Sequence, residues 1–155
     1  MYAAWMGRAL QLATRCRQTG DVPVGALVVG PSSEASHDPY VVWGEGWNTR
    51  EADQDPTGHA EMAALRQAAA RRGRWRLDDC SLVVTLEPCP MCAGAASQAR
   101  IARIILGAWD PKAGACGSVW DIARDSAALH RIEVVGGVRE DECAARLREF
   151  FEARR

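Results

Sequence analysis

The sequence predicts an α/β fold in which helices cross a β-sheet. Three observations carry that prediction. Short β-branched runs bounded by glycine, proline or charge recur at 22–29, 81–86 and 101–106. Alanine-rich or amphipathic stretches at helical spacing lie between them. The two kinds alternate through the second half of the chain, the pattern of a sheet with crossover helices. At 155 residues the chain fits a single domain, 1–155, with one core. It carries no linker, repeat or low-complexity segment.

Each element has its own reason. Residues 2–18 repeat Trp5, Met6, Ala9, Leu10, Ala13 and Cys16 on one helical face, and Gly20-Asp21 breaks that helix. Val22 to Val29 reads as a buried strand, stopped by Gly30-Pro31. The unpatterned 31–39 stretch reads as a surface loop leading to a strand over Tyr40–Trp47, and 48–58 is polar and turn-rich. An alanine-rich helix follows over His59–Arg72, with Thr57 the best capping candidate. Ser81–Leu86 is a strand, and Pro90–Gln98 a helix with proline suited to its first turn. Ile101–Leu106 is a strand, and 109–117 a glycine-containing loop. A short helix at Val119–Arg124, a strand at Arg131–Val135 and a helix at Glu140–Arg155 complete the reading.

Composition removes several function classes. With 48% hydrophobic and 25% charged residues the chain is ordinary globular material rather than disordered. Its apolar runs fall far short of the ~20 residues that a membrane span needs. The start has no basic segment followed by an apolar one, so the expected compartment is the cytoplasm. A formal net charge of −1 excludes coating of nucleic acid by bulk attraction and leaves room for a local basic face. Of 19 basic residues only Lys112 is lysine. Arginine suits phosphate and base contacts, but GC-rich codons give the same excess. The run Arg71-Arg72-Gly73-Arg74-Trp75-Arg76 is likewise basic with an aromatic inside it, or simply a solvated helix end.

The six cysteines do not read as three disulfides, because nothing marks the chain as secreted. Cys16 and Cys143 fit helical core positions. Cys89 and Cys92 stand at i and i+3 at a helix start, so they share a face, and the positive helix end favours thiolate. His59 would add an imidazole, giving one nitrogen and two sulfurs, a set that suits zinc. Three protein ligands leave a tetrahedral position open, as in catalytic rather than structural sites. A fourth ligand from Cys80 or Cys116 would instead close the site, and a redox pair is a further reading of Cys-x-x-Cys. Glu61, two residues from His59, can border the metal without binding it, where a general acid/base belongs. His-x-Glu followed about thirty residues later by Pro-Cys-x-x-Cys is the signature of zinc-dependent nucleobase deaminases.

With those motifs in place the sequence resembles the bacterial tRNA-specific adenosine deaminases, within the cytidine deaminase-like superfamily. The resemblance runs nearly end to end. It includes Asp21–Ala26, Gly44–Asn48, Asp55–Glu61, Val84–Ala95, Gly107–Gly114, Asp141–Cys143 and Phe150-Phe151. It implies a three-layer α/β/α fold, with a central mixed five-stranded sheet and helices on both faces. It implies a zinc-dependent hydrolase that converts the wobble adenosine of tRNA to inosine and releases ammonia. One zinc per subunit would be held by His59, Cys89 and Cys92, with Glu61 as the proton shuttle. Asn48 and the backbone at Ala60 would orient the flipped adenine, and Val24 and Leu86 would line its pocket. The resemblance further implies a homodimer that holds the tRNA anticodon loop near Asp110, Lys112 and the C-terminal helix. Arg146, Arg148, Arg154 and Arg155 lie on that helix. Two departures stand out: the longer 31–39 loop, and Trp109 where arginine or another polar residue is common. A tryptophan there can stack on a base.

Two other classes remain at this stage. A free-base or nucleoside deaminase would share the zinc motifs, but has no use for an RNA-facing loop at 107–114 or a basic closing helix. A structural zinc or RNA-binding module would give Glu61 no role.

Overall fold

The computed structural model describes residues 1–32 and 37–155. Among these, five strands form one sheet in the order β2-β1-β3-β4-β5, built from β1 (Gly25–Pro31), β2 (Tyr40–Trp47), β3 (Ser81–Leu86), β4 (Arg103–Ala108) and β5 (Glu133–Val135). β1 runs antiparallel to both β2 and β3, whereas β3, β4 and β5 are parallel. The expected mixed five-stranded sheet is therefore present.

Helices cover both faces. The period-two alternation of strand side chains divides the core accordingly. Val28, Leu82, Val84, Ile104 and Leu106 point to one side, where they pack with Ala64 and Ala68 of α3 (Ala60–Arg72) and Ala93 and Ala96 of α4 (Pro90–Gln98). Leu27, Val29, Val83 and Ile105 point to the other. There they meet Met6, Ala9 and Leu10 of α1 (Tyr2–Ala13) and Cys143 of α5 (Glu140–Glu152). Each fully buried aliphatic side chain contributes roughly 1.5–3 kcal/mol to holding the layers together.

One close approach fixes the layer that matters for the site. A Cβ at Gly44 would collide with the Ala64 carbonyl, and one at Gly46 with the Ala60 carbonyl. Glycine at these two β2 positions lets the α3 backbone lie directly on the strand. The small alanines of α3 permit the same approach from the other side.

The structure departs from several sequence expectations. The first helix tightens into a 3-10 turn over Thr14–Gln18. The first strand begins at Gly25, not Val22, because Pro23 has no N–H to give a ladder. Val22 and Val24 instead use their carbonyls to accept the side-chain and backbone N–H groups of Asn48. Part of the 48–58 segment forms a short helix, α2 (Arg50–Asp53), with the Asp21 carboxylate accepting the N–H groups of Glu51 and Ala52. Thr57 does not cap α3, since its N–H and hydroxyl both donate to Asp55 Oδ1 at 2.8 Å, and His59 is the capping position. β4 starts at Arg103, after Ile101 has donated its N–H back to Ala96. No helix forms at Val119–Arg124. Ile122 donates to the Ala115 carbonyl and Cys116 bridges Asp121 in an antiparallel pairing. β5 and α5 are shorter than expected at their ends. Of the expected 31–39 loop, residues 33–36 lie outside the described residues.

The basic run at 71–76 matches its plainer reading. Gly73 ends α3 in the left-handed conformation. Arg72 and Arg74 pair with Asp79, and Arg76 pairs with Asp78. Cys16 and Cys143 are buried in the core, and all six cysteines are free thiols. Among the described residues no helix is long and apolar enough to cross a membrane.

Candidate metal centre

Two helix starts converge on one point. His59 is the residue before α3, held in an extended conformation, and its carbonyl accepts the first intrahelical bond from Ala63. Cys89 occupies the same position before α4, Pro90 fills the first helical position and Cys92 lies two residues further on. β3 delivers Cys89 from its C-terminal end, the usual location of sites in open α/β sheets.

The side chains meet closely. His59 Nδ1 lies 3.6 Å from Cys89 Sγ and 3.5 Å from Cys92 Sγ. The three donor atoms all fall within 4.8 Å of one another. Tetrahedral zinc, with bonds of about 2.0–2.1 Å to nitrogen and 2.3 Å to sulfur, demands a nitrogen–sulfur separation of roughly 3.5 Å. Both observed nitrogen–sulfur separations match that requirement. Among the described residues no fourth histidine, cysteine or carboxylate joins this group. Cys80 instead lies beside Arg72 and Asp79, and burial drives the Cys116 thiol up to about 12.

Electrostatics prepare the sulfurs. The Cys92 thiol, then His59 and the Cys92 N–H, hydrogen-bond to Cys89 and hold it down at about 4. That same contact, reinforced by burial, pushes Cys92 up. The hydrogen bond to Cys89 raises His59. A divalent ion would replace the shared protons.

Glu61 lies on the first turn of α3, only 4% exposed, within hydrogen-bond reach of Cys92. Burial pushes its carboxyl up to about 7. It borders the three donors yet is not one of them, and it reaches the cavity above them.

That cavity has a volume of about 1060 Å³. Val24, Asn48, His59, Glu61, Leu86, Cys89, Asp110 and Lys112, eight of the residues singled out in the sequence, line it. Cys92 and Ala60 are fully buried and are not part of its wall. The Ala60 N–H donates to Asn48 Oδ1 at 3.0 Å, so in this arrangement Ala60 supports Asn48. Arg148, Arg154 and Arg155 line the cavity with Phe150 and Phe151, whereas Arg146 faces separate grooves beside α1. Arg154 stacks on the Phe150 ring at 3.5 Å.

Glu87 is a structural member of the site that sequence reasoning did not single out. Its buried carboxylate accepts the N–H groups of Asp110 at 2.8 Å and of Cys116 and Ser118 at 3.0 Å, as well as the Ser118 hydroxyl. One side chain thus holds the 110–118 loop against the cavity. Its partners are 23 to 31 residues away, so no local pattern announces them.

Residues 2–108 match the family described as the cytidine and deoxycytidylate deaminase zinc-binding region. The chain belongs to this family. It is similar to the tRNA-specific adenosine deaminase of Haemophilus influenzae, 43% identical over 97% of this chain and 83% of that protein. It is also 52% identical to the tRNA(Ile)-lysidine synthase of Deinococcus radiodurans, over 96% of this chain. The chain spans about a quarter (24%) of the length of that relative. A solved structure from biochemical and structural studies of A-to-I editing by tRNA:A34 deaminases at the wobble position of transfer RNA superposes with a TM-score of 0.82. It is 37% identical, covering 93% of this chain and 99% of that one.

Proposed function

We propose that this chain is a tRNA-specific adenosine deaminase, a zinc-dependent hydrolase that converts the wobble adenosine, at the first anticodon position, to inosine and releases ammonia. In this reading residues 1–155 act as a single deaminase domain, in the cytoplasm and as a homodimer. One zinc per subunit is held by His59, Cys89 and Cys92. The observation that carries the reading is Glu61, a buried carboxyl beside a three-donor cluster at the floor of a cavity. A closed structural site would give that carboxyl no task. The tRNA-acting relatives and the basic, aromatic wall of Lys112, Arg148, Phe150 and Phe151 favour RNA over a free base.

The chemistry follows from what each residue can do. Zinc in a three-ligand site supplies the Lewis acidity that brings the pKa of water to roughly 7. Val24 and Leu86 give the base an apolar slot, and Asn48 orients it by hydrogen bonding. Glu61 takes a proton from the attacking water and passes it to the adenine ring nitrogen as the bond from oxygen to C6 forms. It then delivers the second proton to the amino group as the C6–nitrogen bond breaks. Water and adenosine become inosine and ammonia, with no change of oxidation state. An anticodon-loop base is already partly unstacked, so flipping it costs less than extracting a base from a duplex.

Position selectivity tests the proposal. A tRNA bearing adenosine at the wobble position, incubated with the protein and then sequenced, should read as guanosine at that position alone. Conversion of adenosines elsewhere in the loop at equal rates, or of none, would contradict it.

A further inference from the structure

Trp109 is 39% exposed and forms part of the wall of the cavity that holds Glu61, His59 and Cys89. A large indole left in solvent stabilises the core little, so its position calls for another account. Its seat is specific. A Cβ at Gly136 would fall among the atoms of its six-membered ring, so the indole rests on bare glycine backbone, and Gly117 flanks the same ring. The next residue, Asp110, is tied through its N–H to buried Glu87 at 2.8 Å. The indole is therefore held in place before any ligand arrives, which reduces the ordering cost of binding.

The geometry points to Trp109 as a stacking platform for a base next to the nucleotide that enters the site. This inference rests on the RNA substrate proposed above. Any nucleobase presents a π-face, and base–aromatic stacking tolerates sequence. The flanking phosphates have cations within the same cavity, Lys112 and Arg148. The cavity, at about 1060 Å³, slightly exceeds the range of roughly 300–1,000 Å³ for pockets that hold a whole small-molecule ligand. It thus has room for more than the target base.

A cycle between protein and RNA tests the platform. Wild type, W109A and W109F are assayed on an anticodon stem–loop with both neighbours of the target intact, or with either one abasic. Removing one neighbouring base should lower wild-type kcat/KM by roughly 5- to 150-fold, through KM, as expected for one lost stack. W109A should lose a similar factor on intact RNA and little more on the abasic RNA, while W109F keeps most activity. Tryptophan fluorescence gives a second readout: RNA should quench wild type more than W109F. Equal losses for W109A on intact and abasic RNA, no loss on either, or equal quenching of wild type and W109F would overturn the platform. Wild-type turnover of intact RNA without coupling to Trp109 would leave the substrate reading standing. Absence of both turnover and RNA binding in wild type would remove the two together.

Discussion

Asn48 Oδ1 accepts the N–H of Ala60 at 3.0 Å, while Asn48 Nδ2 donates to the Val22 carbonyl at 3.0 Å. One side chain just past the end of β2 thus pins the start of α3, the turn from which His59 and Glu61 emerge. Asn48→Ala would leave a buried N–H unpaired, at a cost of about 1–3 kcal/mol. The expected result is a Tm lower by roughly 2–12 °C, together with reduced activity. Calorimetry on wild type and variant checks the first part. An unchanged Tm would show that the bond to Ala60 contributes nothing to holding the helix start.

Glu87 should be harder to replace. Glu87→Ala removes the acceptor for three N–H groups and a hydroxyl in the 110–118 loop. Urea unfolding should report a loss of about 3 kcal/mol, since four donors, the Cys116 N–H fully buried among them, lose their partner at once. Glu87→Gln keeps one acceptor oxygen and should fall between the two. Hydrogen exchange at Asp110, Cys116 and Ser118 should quicken in both variants; protection equal to wild type would show that the carboxylate does not hold the loop.

Asp79 makes one pH-dependent contribution to stability. The hydrogen bond from Arg72 holds its carboxyl down at about 2, below the ordinary 3.8. A depressed carboxyl stabilises the fold above its unfolded pKa and loses that contribution as pH falls towards its folded pKa. The side chain is 38% exposed, and solvent screening limits the effect to about 1 kcal/mol. Asp79→Asn should therefore be less stable than wild type at pH 7, with the gap closing between about pH 4 and pH 2. A gap that stays constant over that window would remove Asp79 as its source.

The metal and the proton shuttle can be separated. Substituting alanine for His59, Cys89 or Cys92 should remove most bound zinc, because each leaves only two protein donors. Glu61→Ala should bind zinc at close to one per chain and lose at least about 100-fold in kcat, the usual scale of general acid–base catalysis. Metal analysis beside an activity assay decides this. Loss of zinc from Glu61→Ala would make Glu61 a ligand and end its role as shuttle.

Much of this arrangement was legible from residue types alone. β3 and α4 have the expected bounds because a mostly apolar run ends at Glu87-Pro88 and Pro90 opens the helix that follows. His59, Cys89 and Cys92 meet as their spacing and chemistry suggested. Where the reading failed, a specific hydrogen-bond partner, near in the chain or far from it, had overridden the expected preference. Thr57 turned to Asp55, the Val22–Val24 carbonyls turned to Asn48, and Val119–Arg124 paired with the loop before it rather than winding into a helix. Glu87 was invisible for the same reason, since its task is set wholly by groups far away in the chain.

The most direct test is a comparison of substrates. Ammonia release should be measured with a wobble-adenosine anticodon stem–loop and, separately, with free adenosine, guanine and cytidine. Rapid release is expected from the stem–loop, and none above background from the three small molecules. Turnover of any of them with a kcat/KM equal to or above that of the RNA would contradict it.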